Sequence, residues 1–266
     1  MTHSYAGLRP DEIESALGRN SAVIVPWGAL EWHGPHLPMG LDGLVAEAFS
    51  ERLAERVSAL LLPTLWLPVT TLPHDLSIHI SAGRVLGHWE ELLEEMVRIG
   101  AQVICSVSGH YAQAHEIAVM DVAEKVMERH PQARILTGTP LSLLEEPDLL
   151  DHAGRYETSQ LLALQPELVR LEALGGGPLL PLRHNPVLGS DPRLGSADEG
   201  ADLLERGLQA WAGWVERLRG PEPDLGALKA LYERRRVTYQ GYVRKYYRGS
   251  WDEAVQTWWR EAIERG

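Results

Sequence analysis

Residues 102–138, QVICSVSGHYAQAHEIAVMDVAEKVMERHPQARILTG, contain a strand, a helix and a second strand in one run. QVICSVS is short and almost wholly apolar, which suits a strand buried on both faces. After Tyr111, apolar residues recur at helical intervals in AQAHEIAVMDVAEKVMERH and stop before Pro131; ARILTG is again short and apolar. Two such strands joined by a helix form a right-handed βαβ unit, so they pair in parallel. The same alternation holds toward the N-terminus. AVIVP (Ala22–Pro26) reads as a buried strand, and LVAEAFSERLAERVSAL as a helix with Asp42 standing where an N-cap is expected. LLPTLWLPV is an edge segment interrupted by prolines, and HWEELLEEMVRIG an amphipathic helix closing on Gly100 as its C′ residue. The expected fold is α/β, a three-layer α/β/α sandwich with a mainly parallel sheet.

Toward the C-terminus, Leu174–Gly195 is rich in Gly and Pro and reads as a long ordered loop, after which helices resume at Ala197. Residues 1–222 are expected to form the main domain, and 223–266 a helical, aromatic and basic appendage. The chain carries 25 Lys and Arg against 37 Asp and Glu, a formal charge of −12 that repels phosphate backbones. Yet seven basic residues and a single acid, Glu233, lie between Lys229 and Arg248, and five of the nine tryptophans follow residue 210. Basic residues interleaved with aromatics can stack bases. An acidic body attracts a basic helix just as well, and Trp and Arg are enriched at protein interfaces, so this segment is expected to pack on its own chain or a neighbour, without nucleic acid. No stretch approaches the ~18 apolar residues of a membrane span, which argues against a membrane partner. Met1–Ser15 lacks a basic start and an apolar run, so a cytoplasmic protein is expected. The one cysteine, Cys105, sits in VICSV as a small buried hydrophobe and has no disulfide partner in the chain.

Two clusters carry chemistry. Glu31-Trp32-His33-Gly34-Pro35-His36, with Asp42 after it, follows the first strand, and Ser108-Gly109-His110 follows VICSV. In open parallel sheets ligands bind beyond the carboxyl ends of the strands, so both strands deliver Glu31, His33, Asp42 and His110 to one rim. Carboxylates and neutral imidazoles suit zinc, manganese or iron, and a carboxylate can bridge two ions. Taken singly, each histidine reads as a loop or core residue with a satisfied ring; the shared placement argues for a site. On spacing alone Glu157-Thr158-Ser159 is helix-start chemistry. His115-Glu116 does not continue into H-E-x-x-H, which places His115 on a helix surface; there is no G-x-S-x-G elbow, and Gly175-Gly176-Gly177 is a turn.

GALEWHGPHLPMGLD (28–42) resembles the creatininase-family loop G-x-x-E-x-H-G-x-H-L-P-x-x-x-D. SGHY (108–111) resembles the family's N-G-H motif, HAGRYETS (152–159) its H-A-G-x-x-E-T-S motif, and GSDPRLGSADEG (189–200) a later G-D-P block. The resemblance implies two divalent ions per subunit, zinc or else manganese or iron: one held by Glu31, Asp42 and His110, the other by His33, Asp42 and Glu157. It makes His152 the acid or base toward a leaving nitrogen, and gives His36, Tyr111 and Ser108 roles in substrate binding or loop support. It implies hydrolysis of a carbon–nitrogen bond in a small cyclic amide, linear amide or formamide, in a homo-oligomer, with short-peptide hydrolysis in cofactor maturation as the alternative within the class. Four departures accompany it. Ser108 replaces the motif's Asn, Gln113 replaces a second Asn, and Ala112 stands where true creatininases carry an acidic ligand, which argues against creatinine. LPHDLSIHISAGRV (72–85) matches the family's pocket-forming stretch poorly. A non-catalytic scaffold or partner-binding protein on the same fold is the reading from another class.

Overall fold

The structure, a computed structural model, describes residues 4–265; the first three residues of the stretch read for a targeting signal, and Gly266, lie outside them. Four strands, β1 (Ala22–Trp27), β2 (Leu60–Leu61), β3 (Val103–Ser108) and β4 (Arg134–Gly138), form one sheet in the order β2-β1-β3-β4. Every pairing is parallel, with Val23 beside Ile104 and Ile104 beside Ile135. All residues of β1 and β3 are buried, as their unbroken apolar runs require. β2 is short because Pro63 follows and has no N–H for a ladder; pairing continues loosely through the Leu65 amide, which donates to Pro26 O at 2.9 Å.

Helices cover both faces. α2 (Leu41–Val57), α5 (Arg155–Leu164) and α6 (Ala197–Arg219) pack together on one, and α3 (Ala82–Arg98), α4 (Gln113–Arg129), α7 (Leu225–Tyr246) and α8 (Trp251–Arg265) on the other, with α1 (Pro10–Arg19) preceding the sheet. α6 starts on Ser196, whose hydroxyl accepts from Glu199 N, and α7 on Asp224, which accepts from Ala227 N at 2.9 Å. Gly100 has φ +104, the left-handed conformation a C′ glycine supplies. Arg193 orders the Gly-rich loop by donating to Gly175 O and Gly177 O. Among the described residues no helix is long and apolar enough to cross a membrane.

Leu228, Leu231, Tyr232 and Tyr239 of α7 belong to the same core as the sheet. Tyr232 Oη donates to Ile135 O at 2.7 Å and accepts from Thr137 N at 3.2 Å, so α7 satisfies backbone groups on the open edge of β4. The basic residues of α7 meet the acidic body: Arg234 pairs with Glu145, Arg236 with Asp121 and Glu124, and the buried Arg235 with Glu116.

Two local expectations are corrected. Asp42 is not a cap: Gly40 holds that position and Asp42 lies in the first turn of α2 with its carboxylate turned inward. His115 is not on a surface. α4 is covered by the sheet and by α3 and α7, and His115 is buried, accepting from Val69 N at 3.2 Å with its ring edge-on to Trp27.

Candidate metal centre

Four segments meet beyond the carboxyl ends of β1 and β3. The loop after β1 carries Glu31, His33 and His36, and is closed by Glu31 N donating to Met39 O at 2.8 Å. Asp42 follows in the first turn of α2, where the positive helix end favours a carboxylate. The exit of β3 carries His110. Gly109 lies so close to α2 that a Cβ there would stand 1.9 Å from Asp42 O, which no side chain permits. Glu157 comes from the first turn of α5. The buried His36 ties the first loop to the HAG turn, its Nε2 donating to Ala153 O at 3.1 Å.

Asp42 stands at the centre and presents one oxygen to each side. Its Oδ2 is 3.1 Å from His110 Nδ1, which is also 3.0 Å from Glu31 Oε2; its Oδ1 is 3.0 Å from His33 Nε2, which is 3.7 Å from Glu157 Oε2. All five residues are buried. Glu31–Asp42–His110 and His33–Asp42–Glu157 each offer three ligand atoms within 4.8 Å of one another, as do Glu31–His33–His152, so each group could hold an ion.

The outer contacts orient these atoms. His110 Nε2 lies 3.0 Å from Thr70 O and His33 Nδ1 lies 3.0 Å from Glu31 O. A carbonyl only accepts, so each of these nitrogens carries hydrogen and the inward nitrogen, Nδ1 of His110 or Nε2 of His33, can offer a lone pair. Glu31 Oε1 accepts from Leu72 N, and Glu157 Oε2 from Ala153 N. Glu157 Oε1 is then left buried without any hydrogen-bond partner, and Glu31 Oε2, His33 Nε2 and Asp42 Oδ1 are buried with no partner outside the cluster, Glu31 Oε2 facing His110 Nδ1 and Asp42 Oδ1 facing His33 Nε2, each at 3.0 Å. Buried polar atoms are seldom left so, and two oxygen- and nitrogen-lined groups sharing a carboxylate fit a pair of divalent cations. Thr70 and Ala153, whose backbones make these contacts, both have positive φ without being glycine, at 67° and 51°. Such strain concentrates at functional sites.

The charges of the cluster lean on one another. Burial disfavours the charged ring of His33, yet Asp42 overcomes this by charge and hydrogen bond and raises the ring to about 10. His110 rises against its burial through Glu31 and Asp42. Asp42 is held down against burial by His33 and His110, and Glu31 by His110, whereas burial drives Glu157 well up. His152 behaves differently: burial, helped by His33, pushes it down to about 4. Its Nε2 donates to Trp32 O at 3.1 Å and its ring lies 4.4 Å from that of His33.

A cavity of about 340 Å³ opens over this cluster. Glu31, His110 and His152 form its floor; Tyr111, Leu150 and Leu188 are among its sides. Ser108 supports the turn, its hydroxyl accepting from His110 N at 3.1 Å, and half-buried Tyr111 donates to Gln160 Oε1. Glu157 is both a helix-start residue and part of the cluster, which spacing alone does not separate. Sequence reading missed Thr70 and Leu72, which act through backbone atoms. It also missed Asp151, which accepts from Tyr156 N and Glu157 N and is raised by burial to about 6; an acid just before a helix start was its available signal.

The sequence pattern of the creatininase family, described as creatinine amidohydrolase, matches residues 6–215. Creatinine amidohydrolase of Pseudomonas putida is 26% identical over 192 residues, 60% of this chain and 71% of that protein. The mycofactocin precursor peptide peptidase of Mycobacterium tuberculosis is 29% identical over 228 residues, 76% of this chain and 87% of that protein. A crystal structure of creatinine amidohydrolase (creatininase) shares the fold with a TM-score of 0.73 at 22% identity, covering 83% of this chain and 99% of that one. A manganese creatininase scores 0.72 at 22% identity with 83% and 100% covered, and a zinc–zinc mutant form 0.71 at 21% with the same coverage.

Proposed function

We propose that this chain, which belongs to the creatininase family, hydrolyses a carbon–nitrogen bond in a small amide, lactam or formamide with the help of two divalent cations. The observation that carries the reading is the set of four buried atoms on Glu31, His33, Asp42 and Glu157 that turn inward with no hydrogen-bond partner outside the cluster. Glu31, Asp42 and His110 would hold one ion, His33, Asp42 and Glu157 the other, with Asp42 shared. Ions bound there supply Lewis acidity toward a carbonyl oxygen and make water acidic enough to ionise near neutral pH. Zinc is the proposed metal, with manganese or iron as alternatives, because carboxylate and imidazole donors accept all three.

The chain's own residues do the rest. Thr70 O and Glu31 O fix the tautomers of His110 and His33, so each ring turns the same nitrogen inward throughout the cycle. His152, neutral at neutral pH and anchored through Nε2–H on Trp32 O, has one free basic nitrogen. It can take a proton as the carbonyl is attacked and return it to the departing nitrogen. His36 and Ser108 hold the loops in place, and Tyr111 keeps its proton because burial opposes the phenolate. The enzyme is proposed to be a homo-oligomer, in keeping with the family resemblance, and cytoplasmic, in keeping with the polar residues 1–15.

Elemental analysis of protein prepared without chelator, with a screen of lactams, formamides and linear amides, tests this. The expected outcome is about two divalent ions per chain and turnover that a chelator abolishes and added zinc restores. Less than one ion and no turnover would favour the non-catalytic scaffold. The longer match to the peptidase relative, 228 residues against 192, favours a second reading, release of residues from a short peptide, and short peptides in the same screen decide between the two.

A further inference from the structure

The cavity is walled on one side by a part of the chain that the family pattern does not reach. That pattern ends at residue 215, whereas Tyr242 of α7 and Val255 and Trp258 of α8 line the cavity together with Glu31, His110 and His152. Tyr242 and Trp258 meet edge to face with ring centroids 6.5 Å apart, and Trp258 stands 6.0 Å from Trp259. α8 is fixed to the body at two places. Trp259 and Ala262 bury against Leu72, and both carboxylate oxygens of Asp252 accept from Ala82 N at 3.1 Å, at the start of α3. Leu72 is also the residue whose amide donates to Glu31 Oε1, so wall and floor share a residue.

We propose that α7 and α8 form the specificity wall of this site, and that Trp258 and Tyr242 receive an uncharged aromatic or other planar apolar group attached to the amide that is cut. The proposal rests on the amidohydrolase reading above and adds to it the substrate class. Aromatic rings fixed edge to face present faces on which a planar group stacks, and Leu72, Leu150 and Leu188 continue the apolar lining. Among the described residues that line the cavity there is no Lys or Arg. A carboxylate or phosphate placed against this wall, away from the floor, would therefore lose its water without gaining a counter-charge from the wall. The cavity volume, about 340 Å³, lies at the small end of the range for small-molecule sites, room for a ring and an amide but not for a folded chain.

The test is the ratio of dissociation constants of acetohydroxamate and phenylacetohydroxamate, measured by calorimetry on zinc-loaded protein. Both carry the same metal-binding head, so the ratio reports the wall. Wild-type protein is expected to favour the phenyl compound at least about 10-fold, roughly 1.4 kcal/mol. Trp258→Leu, which keeps an apolar side chain against the Leu72–Trp259–Ala262 cluster, and Tyr242→Leu are each expected to cut that ratio to below about 3-fold. A wild-type ratio near one, which needs no variant to measure, or a ratio that both variants leave intact, overturns the proposal. If neither hydroxamate binds, it is the metal reading that fails, and the wall is judged with phenylacetamide, which needs no ion. Saturable binding of phenylacetamide but not acetamide, weakened by Trp258→Leu, upholds the wall; no binding overturns it.

Discussion

Neighbouring residues of α4 touch two clusters of buried charge that are built on opposite principles. His115 packs edge-on against His110 of the candidate metal centre, while Glu116 turns the other way and pairs with Arg235 of α7. In the second cluster the chain completes itself: the Arg235 guanidinium donates to Glu116 and to Thr137 O, and only its Nε is left over. In the first, three carboxylates face two imidazoles and four inward atoms find no hydrogen-bond partner outside the cluster. Burying charge is costly unless it is paired and hydrogen-bonded. The pair under α7 meets that cost within the fold, whereas the cluster at the strand ends keeps donor atoms turned toward one another, an arrangement that could hold a cation.

The largest expected effect follows from removing the shared ligand. Asp42→Ala should lose both ions by elemental analysis and reduce turnover by more than about 10³-fold, beyond what one lost stabilising donor costs. Ion content equal to wild type in this variant would erase the difference between the two clusters. Next comes Glu116→Ala, which strands a buried guanidinium and should lower unfolding free energy by about 3–5 kcal/mol in denaturant titrations, while ion content stays at the wild-type level. Loss of ions there would show that the clusters are one unit. The double replacement Glu116→Leu with Arg235→Met should recover most of that stability, because neither charge is then left alone.

His152→Gln should keep its ions and lower kcat by about 10²-fold, the scale of a lost acid or base; unchanged kcat would remove the ring from the scheme. The smallest effect belongs to the exposed pair of α7. The Arg234 hydrogen bond holds the Glu145 carboxyl below its ordinary value of 4.5. Its contribution is thus present above that value and is lost as pH falls through the lowered one. Arg234→Ala should cost less than about 1 kcal/mol at neutral pH, and the difference should shrink further by about pH 3. A larger loss would mean that surface pairs, and not only Tyr232 and Arg235, hold α7 on the body.

The layers were legible because their signals are local. Short apolar runs mark β1, β3 and β4, helical periodicity marks α4, and prolines mark the edge after β2. Misreadings arose where one residue type serves two ends. An acid at a helix start can cap the helix or, like Asp42, turn inward, and a histidine on a helix is exposed only if a single face is covered, which the packing of α4 denies to His115. Glu31, His33, Asp42 and His110 could be grouped because they follow two adjacent strands. Glu157 needed the family resemblance, since helix-start chemistry explains its spacing equally well. Thr70, Leu72 and the wall of Tyr242, Val255 and Trp258 had no local signal: the first two act through backbone atoms, and the wall exists only once α7 and α8 have packed.

Anomalous diffraction from crystals grown with zinc, recorded on both sides of the zinc absorption edge, addresses the central claim most directly. The account predicts two peaks, one among Glu31, Asp42 and His110 and one among His33, Asp42 and Glu157, with Asp42 touching both. Diffraction that shows no peak at Asp42, with zinc bound only elsewhere on the molecule, would contradict it.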